Sequence, residues 1–222
     1  YYSIKDMDMT LAEFSKSFFA TFASHYLSYM EQNETIAKVP ISFESLETAV
    51  ENRQEIVTRY RLMKDYENLN NWGLMWEVAS RAPFEIALAK GVKIVQILDE
   101  FQNINAYIYN QRGEKIDTMS GTYLDLAEKK EAPLIISGSE VHGLIKIIRH
   151  LTGRFAEYAL GNLPEEEAKE AIRRYANAAR TVMNEPSVEK IWNLTQGDPL
   201  YIKALFTTRY NDTKDYTNED NI

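Results

Sequence analysis

The stretch Val92-Lys93-Ile94-Val95-Gln96-Ile97-Leu98-Asp99-Glu100 decides the fold class. Before its two carboxylates, five of seven residues are valine, isoleucine or leucine. A short and nearly continuous apolar run of this kind is typical of a strand that is buried on both faces of a parallel sheet. We therefore predict an α/β fold with a parallel sheet, in which one strand covers residues 92–98.

Asp99 and Glu100 follow this strand directly, at the edge where open α/β sheets bind their ligands. In phosphoryl-transfer sites, the first carboxylate of such a pair holds Mg²⁺ and the second orients or deprotonates the attacking water. The same two residues are also favourable at the start of a helix, because negative charge there complements the helix dipole. The pattern alone leaves both interpretations open.

Two further segments carry candidate binding residues. Leu134-Ile135-Ile136 predicts a second short buried strand, which is followed by Ser137-Gly138-Ser139. A serine at this point is able to hydrogen-bond a phosphate or a catalytic water, whereas the alternative is a tight turn with Ser139 as a helix N-cap. Farther on, Gly197 and Pro199 lie between two predicted helices, and a plain helix joint with proline in the first turn explains them equally well.

The rest of the chain is mostly helical in pattern. Thr10 is typical of an N-cap, and the helix after it carries an aromatic stripe that we interpret as core. A charged helix from Ser42 or Ser45 to Asn68 is expected to be solvated, and Gly91 is placed to end the next helix. The remaining predicted elements are a starting strand at 1–4, helices at 72–90, 120–130, 140–150, 164–181, 187–195 and 199–209, and a third strand at 156–160.

This order predicts three parts. Residues 1–160 form an α/β core, residues 161–210 an all-helical appendage, and residues 211–222 a polar tail. The length of 222 residues is sufficient for a buried core with a small satellite domain.

Composition excludes several classes of function. The chain has 25 Lys and Arg against 33 Asp and Glu, so its formal charge is −8, which does not support a nucleic-acid surface on this portion. It has no cysteine, which excludes disulfides, thiolate zinc sites and cysteine nucleophiles and suits a cytoplasmic location. No apolar run reaches the ~18 to 20 residues of a membrane span, so we expect no membrane partner.

Taken in order, these segments resemble the archaeal-type ATPase family, in the AAA+/STAND branch of P-loop NTPases. LDEFQ (98–102) is similar to its Walker B strand, IISGS (135–139) to its sensor-1 strand, and GRF (153–155) to its arginine-containing loop. LPEEEAKEAI (163–172) looks like the first helix of its lid, and TQGDPLYIKAL (195–205) resembles its GxP-type lid motif. The opening residues 1–14 are similar to the strand and helix that follow the family's first helix.

The resemblance implies a P-loop NTPase-like sheet with a helical lid, and ATP and Mg²⁺ as cofactors. Asp99 would carry Mg²⁺, Glu100 would position the hydrolytic water, and Ser137 or Ser139 would act as sensor. Arg154 would contact phosphate within the chain or across a subunit contact. The implied adenine-side lid would be shaped by Gly197 and Pro199.

One departure from the family limits this expectation. Its phosphate-binding loop, GxxxxGK(S/T), does not occur in the 222 residues, so the backbone cradle and the phosphate lysine are missing. The chain also begins with Tyr1 rather than Met, at what resembles the family's second strand, and we expect it to be a fragment whose loop lies upstream. We expect these residues alone not to hydrolyse ATP.

The alternative function is a degenerate, non-catalytic interaction module with the same fold. Asp99 and Glu100 would then be only a helix-start feature, and the partner would be a protein or a second copy of the chain. Nucleic-acid contacts remain a third possibility, and only through parts of a longer protein that these residues do not contain.

Overall fold

The computed structural model describes residues 1–151, 153–207 and 215–217. The chain divides into two compact units, Tyr1–Ala156 and Glu157–Ile222. The predicted tail at 211–222 lies outside the described residues except for 215–217, as do the last two positions of the predicted helix 199–209.

The predicted α/β class is confirmed at the level of a mixed fold with a small parallel sheet and flanking helices. The strands are β1 (Tyr2–Ser3), β2 (Met9–Thr10), β3 (Gln96–Asp99), β4 (Ile108–Tyr109) and β5 (Leu134–Ile136). In the main sheet, the order is β1–β3–β5 and both pairings are parallel; β2 and β4 form a separate parallel pair. Leu98 lies opposite Tyr2 on one side and Ile136 on the other.

Helices make up most of both units. Those of the first unit are α1 (Leu11–Glu31), α2 (Glu34–Lys38), α3 (Leu46–Ala49), α4 (Gln54–Asn68), α5 (Trp72–Lys90), α6 (Tyr123–Leu126) and α7 (Val141–His150). Those of the second unit are α8 (Glu165–Ala179), α9 (Glu185–Thr195) and α10 (Pro199–Thr207). Short 3₁₀ helices occur at Phe43–Ser45, Phe101–Asn105 and Met119–Thr122. None of the described helices has both the length and the apolar character that crossing a membrane requires.

The prediction of a strand over 92–98 that is buried on both faces was wrong in two respects. The strand itself is only β3, and its burial alternates: Leu98 is 2% exposed and its neighbour Ile97 is 36% exposed. Val92 and Val95 are also exposed. β1 pairs with Leu98 and Asp99, and β5 pairs with Gln96, Ile97 and Leu98, so the apolar run begins before the first paired residue.

Thr10 caps α1 as predicted. The Glu13 backbone N–H donates to Thr10 Oγ1 at 3.2 Å, and the Thr10 backbone N–H donates to Glu13 Oε2 at 2.7 Å, so the two residues form a capping box. The predicted aromatic core is confirmed at Phe14 and Phe19, both fully buried. Because the cap fixes where α1 starts, it also fixes which of its residues face the sheet.

Edge-to-face aromatic contacts join β1, α1 and α5. The Tyr2 ring lies 5.9 Å from the Phe14 ring and 5.3 Å from the Phe18 ring, and the Trp76 ring of α5 lies 5.4 Å from that of Phe18. Such pairs contribute about 0.5–1.5 kcal/mol each beyond the area that they bury. This cluster therefore fixes the edge strand β1 against the helical layer.

The single solvated helix predicted from Ser42 or Ser45 to Asn68 was also wrong. Ser42 caps only a 3₁₀ turn, where its Oγ accepts from the Ser45 backbone N–H at 3.3 Å, and α4 starts separately at Gln54. Despite its many charges, α4 has a buried face that packs on α5. That face is formed by Ile56, Val57, Tyr60 and Met63.

The described part of the second unit is helical, as predicted for the appendage. Its core lies between α8, α9 and α10 and contains Ala168, Ile172, Val188, Ile191, Ile202 and Tyr216. The third strand predicted at 156–160 is absent, and Leu160 there is 99% exposed. A strand needs a paired neighbour, and the described residues supply none for this segment.

Glu55 joins three helices of the first unit. Its Oε1 accepts a hydrogen bond from the Tyr26 hydroxyl of α1 at 2.7 Å and lies 3.0 Å from Lys90 Nζ of α5. Burial alone raises the pKa of Glu55, but the hydrogen bonds from Tyr26 and Lys90 outweigh it and lower the pKa to about 2. Because the folded pKa lies below the unfolded one, this stabilisation is complete above about pH 4.5 and is lost as the pH falls.

We therefore predict that Glu55→Gln lowers the free energy of unfolding by about 1–2 kcal/mol at pH 7. The difference from wild type should shrink as the pH falls from 4.5 towards 2, measured by urea unfolding followed at NMR signals of α1. Glu34→Gln is the control, because Glu34 forms a surface ion pair with Lys38 and its side chain is 87% exposed. A difference for Glu55→Gln that persists unchanged at pH 2.5 would contradict this assignment.

Candidate functional site

The ends of β3 and β5 meet at one edge of the main sheet. Beyond the paired strands, the Ser137 backbone N–H donates to the Leu98 carbonyl at 2.9 Å, and the Phe101 N–H donates to the Ser137 carbonyl at 3.0 Å. These bonds continue the ladder past the last strand residues. They bring Asp99 and Glu100 next to the loop of Ser137 and Ser139, as their sequence positions predicted.

Asp99 is held by three donors that carry no charge. Its Oδ1 accepts from Ser137 Oγ at 2.7 Å and from the Glu100 backbone N–H at 3.0 Å, and its Oδ2 accepts from the Tyr1 hydroxyl at 2.7 Å. The bonds from Ser137 and Tyr1 hold the pKa of the Asp99 carboxyl below its usual value. The carboxylate is therefore ionised at neutral pH.

Glu100 adopts a left-handed backbone conformation, with φ 52° and ψ 42°. For a residue other than glycine this conformation costs of order 1 kcal/mol and persists only where the surroundings enforce it. Its Oε2 accepts hydrogen bonds from Gln102 Nε2, from Ser139 Oγ at 2.9 Å, and from the Ser139 backbone N–H at 3.4 Å. The bonds from Gln102 and Ser139 lower the pKa of Glu100.

The sequence left open which serine would be the sensor, and the structure places both serines against the carboxylates. Ser137 donates to Asp99 and Ser139 donates to Glu100. The proposed N-cap role of Ser139 is not observed, because the residue before α7 is Glu140 and it makes no side-chain cap bond. A 3₁₀ helix does follow Glu100, but Glu100 makes no side-chain cap bond to it either.

Gln102 is the residue that sequence reasoning missed. It lies on the 3₁₀ helix Phe101–Asn105, where Phe101 and Ile104 are fully buried, and the Asn103 Nδ2 group donates to the Ile4 carbonyl at 2.9 Å. These contacts anchor the turn and orient the Gln102 side chain towards Glu100. The motif LDEFQ contains Gln102, but no spacing rule marks a glutamine as the partner of a carboxylate two residues earlier.

The site fits a small, hard cation in its chemistry. Asp99, Glu100 and the two serines offer oxygen atoms, which Mg²⁺ prefers, and Mg²⁺ is usually held by one or two carboxylates with substrate phosphates completing the shell. Within residues 1–151, 153–207 and 215–217, no cationic side chain pairs with either carboxylate. The same residues contain no group of three or more acidic, histidine or cysteine side chains arranged for a metal. Asp99 and Glu100 would therefore hold a cation only together with a further ligand.

Arg154 is not joined to these carboxylates. Its Nε donates to Glu128 Oε1 at 2.7 Å, and this ion pair is partly exposed. In the described structure, Arg154 is thus paired with Glu128 rather than with either carboxylate of this site.

Gly197 and Pro199 form the joint between α9 and α10 in the second unit. Gly197 has a φ of +77°, and a Cβ at this position would lie 2.2 Å from the Leu163 carbonyl oxygen and 2.8 Å from the Trp192 ring. The Gly197 carbonyl accepts from the Leu163 N–H at 2.9 Å, and Pro199 is the first residue of α10. The close approach explains the glycine as a structural residue of this unit.

Gly197→Ala is therefore predicted to destabilise the second unit by more than about 1 kcal/mol, through left-handed strain and the clash with Leu163. Amide hydrogen exchange in α8, α9 and α10 should accelerate, while exchange in α1 and α5 should stay unchanged. Gly161→Ala is the matched control, because a Cβ at Gly161 meets nothing within 4 Å. If the amides of α8, α9 and α10 were equally protected from exchange in both variants, the close approach of Gly197 to Leu163 would not contribute to stability.

Comparison of the chain with protein-family models, with curated proteins and with solved structures finds no match.

Proposed function

We propose that the chain is part of a Mg²⁺-dependent ATPase in which Asp99 and Glu100 serve phosphoryl transfer. The observation that carries this proposal is the pair of ionised carboxylates at the carboxyl edge of a parallel sheet, held by serines from the neighbouring strand end. Ligands of open α/β sheets bind at this edge. The ordered resemblance to an archaeal-type ATPase supports the same reaction class.

Asp99 is the proposed residue for the cation. Its Oδ1 already accepts two hydrogen bonds and its Oδ2 accepts one, so Oδ2 retains capacity for one further partner. This limited capacity favours contact with the cation through a bound water. When bound, Mg²⁺ neutralises charge on the phosphate oxygens.

Glu100 is the proposed residue for the attacking water. All of its hydrogen bonds from the described residues converge on Oε2, which leaves Oε1 to accept a hydrogen bond from a water. Ser137 and Ser139 hold the two carboxylates in their ionised forms and are the proposed sensor residues. The role of each serine thus follows from the carboxylate to which it donates.

The proposed reaction requires a phosphate-binding loop that the 222 residues do not contain. In the described sheet, β5 is the last strand on its side. A parallel strand added next to β5 would end beside Ser137 and Glu100, and a loop after that strand would face them. The free edge of β5 therefore supports a site that such a segment would complete.

Reading the coding sequence before Tyr1 and assaying phosphate release tests the proposal. We expect a GxxxxGK(S/T) loop after an apolar strand, no turnover by the 222 residues alone, and turnover by the longer protein. In that protein, Glu100→Gln should preserve ATP binding and reduce hydrolysis at least about 100-fold, because it removes the residue that orients the water. The surface variant Glu34→Gln should hydrolyse ATP at the wild-type rate.

The proposed catalytic role of Glu100 would be contradicted if the whole gene lacked the phosphate-binding loop. It would also be contradicted if the Glu100→Gln variant still hydrolysed ATP. The non-catalytic interaction module would then be the better proposal, with a protein as the partner.

Cation binding is testable in the 222-residue chain without nucleotide. Mn²⁺, added as a paramagnetic substitute for Mg²⁺, should broaden the amide signals of Asp99 and Ser137 at millimolar concentration. Asp99→Asn should abolish the broadening, because it removes the charge that attracts the cation. Equal broadening in wild type and Asp99→Asn would remove Asp99 from the proposed cation site.

A further inference from the structure

Gln102 combines two properties that are costly in a folded protein. Its side chain is buried at 9% exposure, and its Oε1 has no hydrogen-bond partner among the described residues. A buried amide oxygen without a partner loses its bonds to water and gains none in return. The other half of the amide, Nε2, donates to Glu100 Oε2.

The orientation of this amide follows from its neighbour. An ionised Glu100 accepts hydrogen bonds and donates none, so only the N–H side of the Gln102 amide is able to face it. The oxygen must then point the other way, and it lies against Gly138. A Cβ built on Gly138 would be 2.1 Å from Gln102 Oε1 and 3.2 Å from Gln102 Cδ.

A second glycine adjoins the same side chain. A Cβ on Gly143 of α7 would lie 3.3 Å from Gln102 Cβ and 3.2 Å from the Glu140 carboxylate. Gly138 and Gly143 thus leave the space in which the Gln102 side chain lies between β5 and α7. Neither glycine has a positive φ, so close approach rather than backbone conformation explains them.

We propose that Gln102 is a positioning residue, which fixes the Glu100 carboxylate through Nε2 and requires glycine at position 138 to do so. Gln102 holds Oε2 of Glu100 on the protein side and thereby presents Oε1. It also helps to hold Glu100 in its left-handed backbone conformation, which is strained because the residue is not glycine. The catalytic meaning of this role rests on the proposed ATPase function, whereas the contact itself does not.

The contact is tested by titration of carboxyl carbons in the 222-residue chain by ¹³C NMR. Gln102→Met keeps the length of the side chain and removes the donor, so the pKa of Glu100 should rise relative to the wild-type chain. Glu55 is the internal reference, because its partners are Tyr26 and Lys90 and its titration should not move.

Gln96→Met is the matched control. Gln96 is also a buried glutamine of this sheet, but neither polar atom of its side chain has a hydrogen-bond partner among the described residues. The substitution should leave the titration of Glu100 unchanged. A shift as large as that of Gln102→Met would mean that any loss of a buried glutamine moves Glu100, and would overturn the proposal.

Gly138→Ala tests the same contact without altering Gln102. Its Cβ should displace the amide and raise the pKa of Glu100 by a similar amount, and adding it to Gln102→Met should change little further. In the wild-type chain, the Nε2 protons of Gln102 should shift with the midpoint of Glu100. If the Nε2 signals of Gln102 do not shift as Glu100 titrates, the proposal is overturned. This measurement uses the wild-type chain and so does not depend on whether any variant folds.

The functional test measures ATP hydrolysis in the longer protein. There, Gln102→Met should lower kcat for ATP at least about tenfold and leave KM nearly unchanged, because it disturbs the reacting group rather than binding. Its pH–rate profile should move in the direction of the Glu100 titration. If no ATP hydrolysis occurs at all, the proposed function fails while the titration still decides the role of Gln102.

Discussion

The parallel pairing of β3 with β5 is the constraint on which the candidate site depends. Leu98 lies opposite Ile136, and the bonds from Ser137 to Leu98 and from Phe101 to Ser137 carry the pairing beyond the strands. A slip of one residue would turn each side chain to the other face. Asp99 would then lose Ser137, so the register of a short ladder determines the chemistry at its end.

The carboxylates at this edge are stabilised by donors that leave their charge uncompensated. Asp99 is bonded by two hydroxyls and a backbone N–H, and Glu100 by an amide, a hydroxyl and a backbone N–H. Most other carboxylates with a lowered pKa in this unit, such as Glu55, have a lysine or arginine partner. Neutral donors keep a carboxylate ionised without neutralising its charge, whereas a lysine or arginine partner would neutralise it. An ionised carboxylate without such a partner suits a site that binds a cation.

The sequence predicted the local features that depend on few residues. Thr10 before α1, Gly91 after α5, and the serines after β5 are recognisable because a cap or a strand end needs particular side chains. The predicted strand at 92–98 was too long and too buried, because an apolar run does not say how many neighbours pair with it. Gln102 was missed since its partner is set by the turn of the 3₁₀ helix and by the space at Gly138, which only the tertiary structure shows.

The sequence left two roles open for Glu100 in a phosphoryl-transfer site, to orient the attacking water or to deprotonate it. The lowered pKa of Glu100 bears on the choice between them. A carboxylate that accepts several hydrogen bonds is a weaker base than a free one, so these bonds work against proton uptake. The same bonds, together with a strained backbone, fix its position, and position is what orientation of a water requires. Phosphoryl transfer through a loose transition state needs little help from a strong base. In the proposed ATPase, the geometry around Glu100 would therefore favour orientation of the attacking water over its deprotonation.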